Sequence, residues 1–199
     1  MPAYRNKIWD GKIRLFNLRN KLLYNGLIDH VIKFAKDREY KIEYKSFPKV
    51  VNKYDKGDFE RFARNLNLSI EPRDYQIDAF LYAINHERCL LLSPTASGKS
   101  FIIYLLIRYY QQKVSNFKCL VIVPTTSLVA QMSSDFNEYA KDDSWNSAEN
   151  IHQIFQGRDK VSDRPIYIST WQSLYKLPAN YYADFDMILG DEAHQFKAK

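Results

Sequence analysis

Cys89-Leu90-Leu91-Leu92-Ser93-Pro94-Thr95-Ala96-Ser97-Gly98-Lys99-Ser100 is an apolar run, a loop of small residues and a Lys-Ser pair, followed at once by the apolar stretch Phe101 to Tyr110. A short apolar run that breaks at Ser-Pro and gives way to a longer apolar stretch reads as strand, loop, helix. Phosphate binding requires that order. The first turn of a helix has backbone N–H groups without intrahelical partners, and the helix dipole favours negative charge there. On this reading Pro94, Thr95, Ala96, Ser97 and Gly98 wrap a phosphate, and Gly98 lets the backbone approach closely. Lys99 reaches the β and γ phosphates of ATP, and the Ser100 hydroxyl is a ligand for Mg²⁺. Ser93 stands where the pattern G-x-x-x-x-G-K-[ST] has its first glycine, so the generic motif by itself is incomplete.

The complement of this loop lies near the other end of the chain, where Asp186-Met187-Ile188-Leu189-Gly190 runs into Asp191-Glu192-Ala193-His194. A carboxylate pair at the C-terminal end of a strand suits the second half of an ATP site. Asp191 would hold Mg²⁺ through its water shell, and Glu192 would orient and deprotonate the attacking water. His194 is expected to couple this site to nucleic acid. An isolated Asp-Glu pair is ordinarily a solvated strand end; the phosphate loop upstream and the Ala-His that follows argue for the chemical role. From Ile70 onward, strands alternate with helices, which implies a parallel sheet with helices on both faces.

The formal charge of +6 is unevenly distributed. Residues 1–45 hold eleven Lys or Arg against five Asp or Glu, the whole of the excess, and the remaining 154 residues carry 18 of each sign. Such a cluster suits phosphate backbones, and Lys12, Arg14, Arg19, Lys21, Lys33, Lys36 and Lys41 could supply it; a solvated surface is the alternative. The segment reads as a compact α+β unit. Lys7–Trp9 and Lys12–Phe16 flank an Asp10-Gly11 turn, and Asn25-Gly26 leads into a helix from about Leu27 to Lys36, before a strand over Lys41–Tyr44. Trp9 and Phe16 are read as core residues. Pro48 and the polar stretch Asn52–Gly57 are read as a linker, Asp58 as the cap of a helix running to about Leu66, and the domain boundary falls near residue 57. Cys89 and Cys119 head apolar runs and are read as core residues in a reducing compartment. No stretch approaches the roughly 20 apolar residues of a membrane span, and the N-terminus lacks a secretion signal, so a cytoplasmic location is expected.

P-T-A-S-G-K-S followed by D-E-A-H resembles the superfamily 2 helicases, which accept Pro-Thr where other phosphate loops have glycine. Pro72-Arg73-Asp74-Tyr75-Gln76 resembles their adenine-reading segment, with Gln76 bonding the adenine edge. Leu120–Leu128 resembles motif Ia and Ile168–Leu174 motif Ib. The resemblance implies that Thr125, Thr126 and Thr170 touch the nucleic-acid backbone, for which hydroxyls at strand ends are suited, although helix capping would equally explain any one of them. The N-terminal Asn6-Lys7-Ile8-Trp9-Asp10-Gly11-Lys12-Ile13-Arg14-Leu15 and Asn25-Gly26-Leu27 are similar to the bacteriophage UvsW family of DNA helicases, which act on branched DNA.

That resemblance implies a RecA-like P-loop NTPase domain at 58–199, preceded by a small basic α+β DNA-binding domain at 1–57. ATP and Mg²⁺ are the implied cofactors, and branched, duplex or single-stranded DNA the implied partner, in recombination, repair or replication restart. It also implies that the chain is an N-terminal piece, lacking a second RecA-like domain and unable to unwind DNA alone. The rival readings are a restriction-enzyme-type translocase subunit, an RNA helicase and a non-catalytic DNA-binding module. A P-loop kinase of small molecules would lack Asp-Glu-Ala-His and the threonine-bearing loops. If the N-terminal segment binds phosphates, reversing Lys12 and Arg14 to Glu will weaken binding to DNA of any sequence and flatten its salt dependence. An unchanged slope of affinity against salt would reject that role.

Overall fold

The computed structural model describes residues 15–43, 53–86, 88–140, 145–155 and 157–195. The chain divides into two compact units, Met1–Lys49 and Val50–Lys199. Lys12, Arg14, Trp9 and the hairpin read around Asp10-Gly11 lie outside the described residues.

Within the first unit, β1 (Phe16–Asn17) pairs antiparallel with β2 (Leu22–Leu23). The Asn17 side chain makes that turn by accepting from the backbone N–H groups of Arg19 (3.0 Å) and Asn20 (3.3 Å). A 3-10 turn, Asn25–Leu27, leads into α1 (Ile28–Lys36), the helix predicted from the apolar spacing. Phe16 is exposed, not core, and Lys41–Glu43 is irregular, so the strand predicted there does not form over its described residues.

The second unit opens with α2 (Lys56–Arg64), which starts earlier than predicted. Asp55, not Asp58, is the N-cap: its carboxylate accepts from the Asp58 N–H, while Asp58 accepts from the Asp55 N–H, both at 3.0 Å. That reciprocal pair satisfies two donors at the helix start and places Lys56 and Gly57 in the helix, not in a linker. Next come α3 (Asp74–Ile84) and α4 (Lys99–Lys113), then β3 (Cys119–Val123) and α5 (Thr126–Tyr139). A short α6 (Ser147–Asn150), β4 (Ile151–Ile154), β5 (Ile166–Thr170), α7 (Trp171–Leu174) and α8 (Ala179–Ala183) precede β6 (Met187–Gly190) and a 3-10 turn over Ala193–Gln195.

Four strands form one parallel sheet in the order β4-β5-β3-β6. Because neighbouring residues of a strand point to opposite faces, Val121, Val123, Ile166 and Ile168 enter a core with α2 to α5, while Leu120, Ile154 and Tyr167 face α7 and α8. The larger core is strongly aromatic. Phe80, fully buried, stacks on Phe62 (5.4 Å between centroids) and meets Phe59 and Tyr109 edge-on. Helix α4 carries seven buried residues around its circumference, as expected of a helix enclosed by other elements.

Residues 89–92 depart from the prediction. They are irregular, and Leu90 and Leu92 are 71% and 90% exposed. A strand exists through its pairing, and no described strand lies against that run or against the free side of β6. For the same reason Cys89 is exposed, whereas Cys119, in the central strand, is fully buried. Burial pushes the Cys119 thiol far above its ordinary pKa, and the Asp186 carboxylate adds to the effect. Titration of the native chain with DTNB at pH 8 is expected to release one equivalent quickly, from Cys89, and the second on unfolding. Two equally fast thiols would contradict the burial of β3.

Candidate nucleotide-binding site

Register decides which residues meet. Val123 pairs with Thr170 and Ile122 with Gly190, so the chain leaves β3, β5 and β6 at one edge of the sheet and delivers Thr125, Thr170 and Asp191 there. The phosphate-loop lysine reaches the same edge: Lys99 Nζ lies 3.2 Å from Glu192 Oε1, and Glu192 Oε2 lies 3.3 Å from His194 Nδ1. Lys99 also donates to the Pro94 carbonyl at 3.3 Å. Two motifs almost a hundred residues apart in the sequence thus form one charged cluster beside a groove of about 550 Å³. Leu91, Ser93, Ile102, Leu189 and Asp191 contribute to its lining.

The loop itself has the conformation an anion site needs. Gly98 is the N-cap of α4, its φ is +77°, and no side chain caps the helix. The first N–H groups of a 15-residue helix are therefore left without a side-chain acceptor. Ala96 also has positive φ (61°), and Ser93 and Ser97 join through their hydroxyls across the loop. At the acidic end, the Asp191 N–H donates to the Ile122 carbonyl (2.9 Å), and Asp191 Oδ1 accepts from the Glu192 N–H (3.0 Å). Glu192 has φ +51°, a conformation costly for a residue with a side chain and tolerated where surrounding contacts enforce it. Burial raises the Asp191 pKa and the Glu192 carboxylate raises it further, against the opposing pull of Lys99.

Gln76 does not face an open cleft. It is buried; its Oε1 accepts from the Arg73 N–H at 2.9 Å and its Nε2 donates to the Ser97 carbonyl at 3.1 Å. Tyr75 donates to that same carbonyl at 3.0 Å. Both side chains therefore hold the phosphate loop from behind. The Ser100 hydroxyl is bonded to the Tyr139 hydroxyl at 2.8 Å. Thr125 caps α5, accepting from the Leu128 N–H at 3.4 Å, and is exposed with Thr126, whereas Thr170 is buried and bonded to the Ser173 hydroxyl at 3.1 Å. The arrangement thus brings together Lys99, Asp191, Glu192 and His194 and leaves Thr125 and Thr126 on the surface. It turns Gln76 toward the protein and withdraws Thr170. The contacts of Tyr75 and Tyr139 were not read from the sequence; Tyr75 adjoins the glutamine that was singled out, but Tyr139 lies 39 residues from its partner and had no local signal.

The donor set fits Mg²⁺. Ser100 and Asp191 offer oxygen atoms, the ligand type that Mg²⁺ takes. Gly98 supplies a direct test of the loop geometry. A Cβ there would lie 2.4 Å from Gln76 Nε2. Gly98→Ala should destabilise the chain by about 1–2 kcal/mol through its positive φ, and by more through the clash. In a Gln76→Ala background the clash disappears, so the penalty measured by urea unfolding should shrink. An equal penalty in both backgrounds would reject the contact.

Comparison with known proteins adds an independent finding. Residues 69–199 match the family described as Type III restriction enzyme, res subunit, and residues 1–45 match the family described as DNA helicase UvsW, N-terminal. The ATP-dependent DNA helicase uvsW of Enterobacteria phage T4 is 35% identical over 202 residues, covering 97% of this chain and 39% of that protein. The DNA 3'-5' translocase XPB2 of Sulfurisphaera tokodaii is 25% identical over 130 residues, 65% of this chain and 26% of its own length. Two crystal structures of UvsW from bacteriophage T4 superpose with TM-score 0.83 at 34% and 35% identity; each match covers 98% of this chain, with 71% of one and 40% of the other. The chain therefore spans about two fifths of the length of its T4 relative. With a parallel α/β sheet of the RecA type following a small N-terminal unit, and with matches to both units, the chain belongs to the UvsW-like helicase family.

Proposed function

We propose that this chain carries the ATP-binding half of a DNA helicase or translocase acting on branched DNA in recombination, repair or replication restart. The observation that carries the reading is the Lys99–Glu192 pair at 3.2 Å beside an uncapped helix N-terminus. A lysine held by a carboxylate at the mouth of an anion site is poised to exchange that partner for a phosphate. In the proposed complex the loop from Pro94 to Gly98 wraps the phosphates, with Thr95 and Ala96 at its tip and Ser97 held from behind. Lys99 bonds the β and γ phosphates, and Ser100 and Asp191 hold Mg²⁺, which neutralises phosphate charge when bound. Glu192, released from Lys99, orients the attacking water and takes its proton. His194 links that carboxylate to the nucleic-acid side. Gln76 can read the adenine edge if it gives up its bond to Arg73 or Ser97; otherwise its part is to hold the loop.

For DNA, exposed Thr125 and Thr126 at the N-terminus of α5 suit a phosphate. Thr170 would act through Ser173 or on rearrangement of α7. The first unit, with Lys12 and Arg14, is proposed to bind duplex or branched DNA. In the whole protein we infer a second RecA-like domain that closes over the nucleotide and supplies cations to the γ-phosphate, and without it hydrolysis by these 199 residues is slow. Among the described residues no helix is long and apolar enough to cross a membrane. The likeness of residues 69–199 to a restriction-enzyme subunit favours translocation without strand separation as the second reading.

Lys99→Ala is expected to weaken binding of a fluorescent ATP analogue by about tenfold to a hundredfold, the loss of a charge-assisted bond. Unchanged affinity would overturn the phosphate-loop assignment. Glu192→Gln in the whole protein should retain ATP and DNA binding while hydrolysis stalls. Measured ATPase rates should rise with forked DNA; equal stimulation by RNA would favour an RNA helicase instead. Stimulation by DNA without strand separation would favour the translocase.

A further inference from the structure

The Ser100 hydroxyl is held from outside the nucleotide motifs. Tyr139, the last residue of α5, lies with its hydroxyl 2.8 Å from Ser100 Oγ. The ring of Tyr139 is fixed independently of that bond. It packs edge-on against Phe101 (4.9 Å between centroids) and Tyr104 (5.6 Å), and its carbonyl accepts from the Ser69 N–H at 3.0 Å. The next residue, Ala140, bridges to Leu68. With backbone and ring both fixed, little beyond the direction of the hydroxyl proton is free to change.

A serine hydroxyl has one proton and two lone pairs. It can ligate a cation through oxygen when that proton points away from the metal, which requires an acceptor on the far side. We propose that Tyr139 is a positioning residue for the metal ligand Ser100: its phenolic oxygen accepts the Ser100 proton, leaving a serine lone pair directed at Mg²⁺. This inference rests on the ATP·Mg²⁺ reading given above.

The test is Tyr139→Phe in the full chain, which deletes the hydroxyl and keeps the ring packing. Binding of a fluorescent ATP analogue is titrated with Mg²⁺ and, separately, measured in EDTA. The variant is expected to need on the order of fivefold more Mg²⁺ for half-saturation, with unchanged affinity in EDTA and an unchanged thermal midpoint. A merely structural tyrosine would instead lower the midpoint and weaken binding in both media, which would overturn the proposal. In a Ser100→Ala background, Tyr139→Phe should have no further effect on the Mg²⁺ requirement. A wild-type Mg²⁺ requirement in the single variant, or an undiminished effect in the double variant, would also overturn it. Failure of the underlying nucleotide reading has a different signature, since wild type and Lys99→Ala would then bind the analogue alike.

Discussion

Parallel pairing of β3 with β5 on one side and β6 on the other is the constraint on which the second unit depends. The pairing is in register over five residues with β5 and four with β6, and it carries the core with it. One set of alternate side chains meets the helices that hold the phosphate loop; the other meets α7 and α8. A one-residue slip would exchange the two faces and expose the apolar set that buries Phe80, Phe101 and Tyr104. The same register fixes the chemistry, because the chain can bring Thr125, Thr170 and Asp191 to a common edge when the strands all run the same way.

On that edge the local energetics are deliberately unfavourable. Ala96, Gly98 and Glu192 all have positive φ, and Asp191 is a half-buried carboxylate beside another acid. The positive φ of Ala96 and of Glu192 each costs about 1–3 kcal/mol where no compensating contact exists, whereas Gly98 adopts its own at little cost. The compensation comes from behind: Tyr75 and Gln76 bond the Ser97 carbonyl, Lys99 screens the acids, and Tyr139 bonds Ser100. This is a site held taut by the rigid aromatic core of α3, α4 and α5.

Much of this was legible in the chain. The loop from Ser93 to Ser100 and the tetrad from Asp191 to His194 were found as motifs, because each depends on adjacent residues whose chemistry is local. The alternation of apolar runs gave the parallel α/β class, and the spacing of Ile28, Val31, Ile32 and Ala35 gave α1. Other readings failed for reasons that are equally physical. Residues 89–92 have strand composition, yet a strand needs a neighbour, and the described residues provide none. Asp58 has the chemistry of a cap, but Asp55 has it too, and the reciprocal bond between them moves the helix start by a turn.

By itself, then, the sequence determined the class of fold, the two short motifs from Ser93 to Ser100 and from Asp191 to His194, and the concentration of positive charge in residues 1–45, since all three follow from residue type and short-range order. Tertiary structure decided what those residues touch. It paired Lys99 with Glu192, turned Gln76 onto Ser97, buried Thr170 and set Tyr139 against Ser100. These contacts join residues from 3 to 93 positions apart. The distant ones exist because sheet register and helix packing bring separate segments within hydrogen-bonding reach, a condition that local sequence cannot specify.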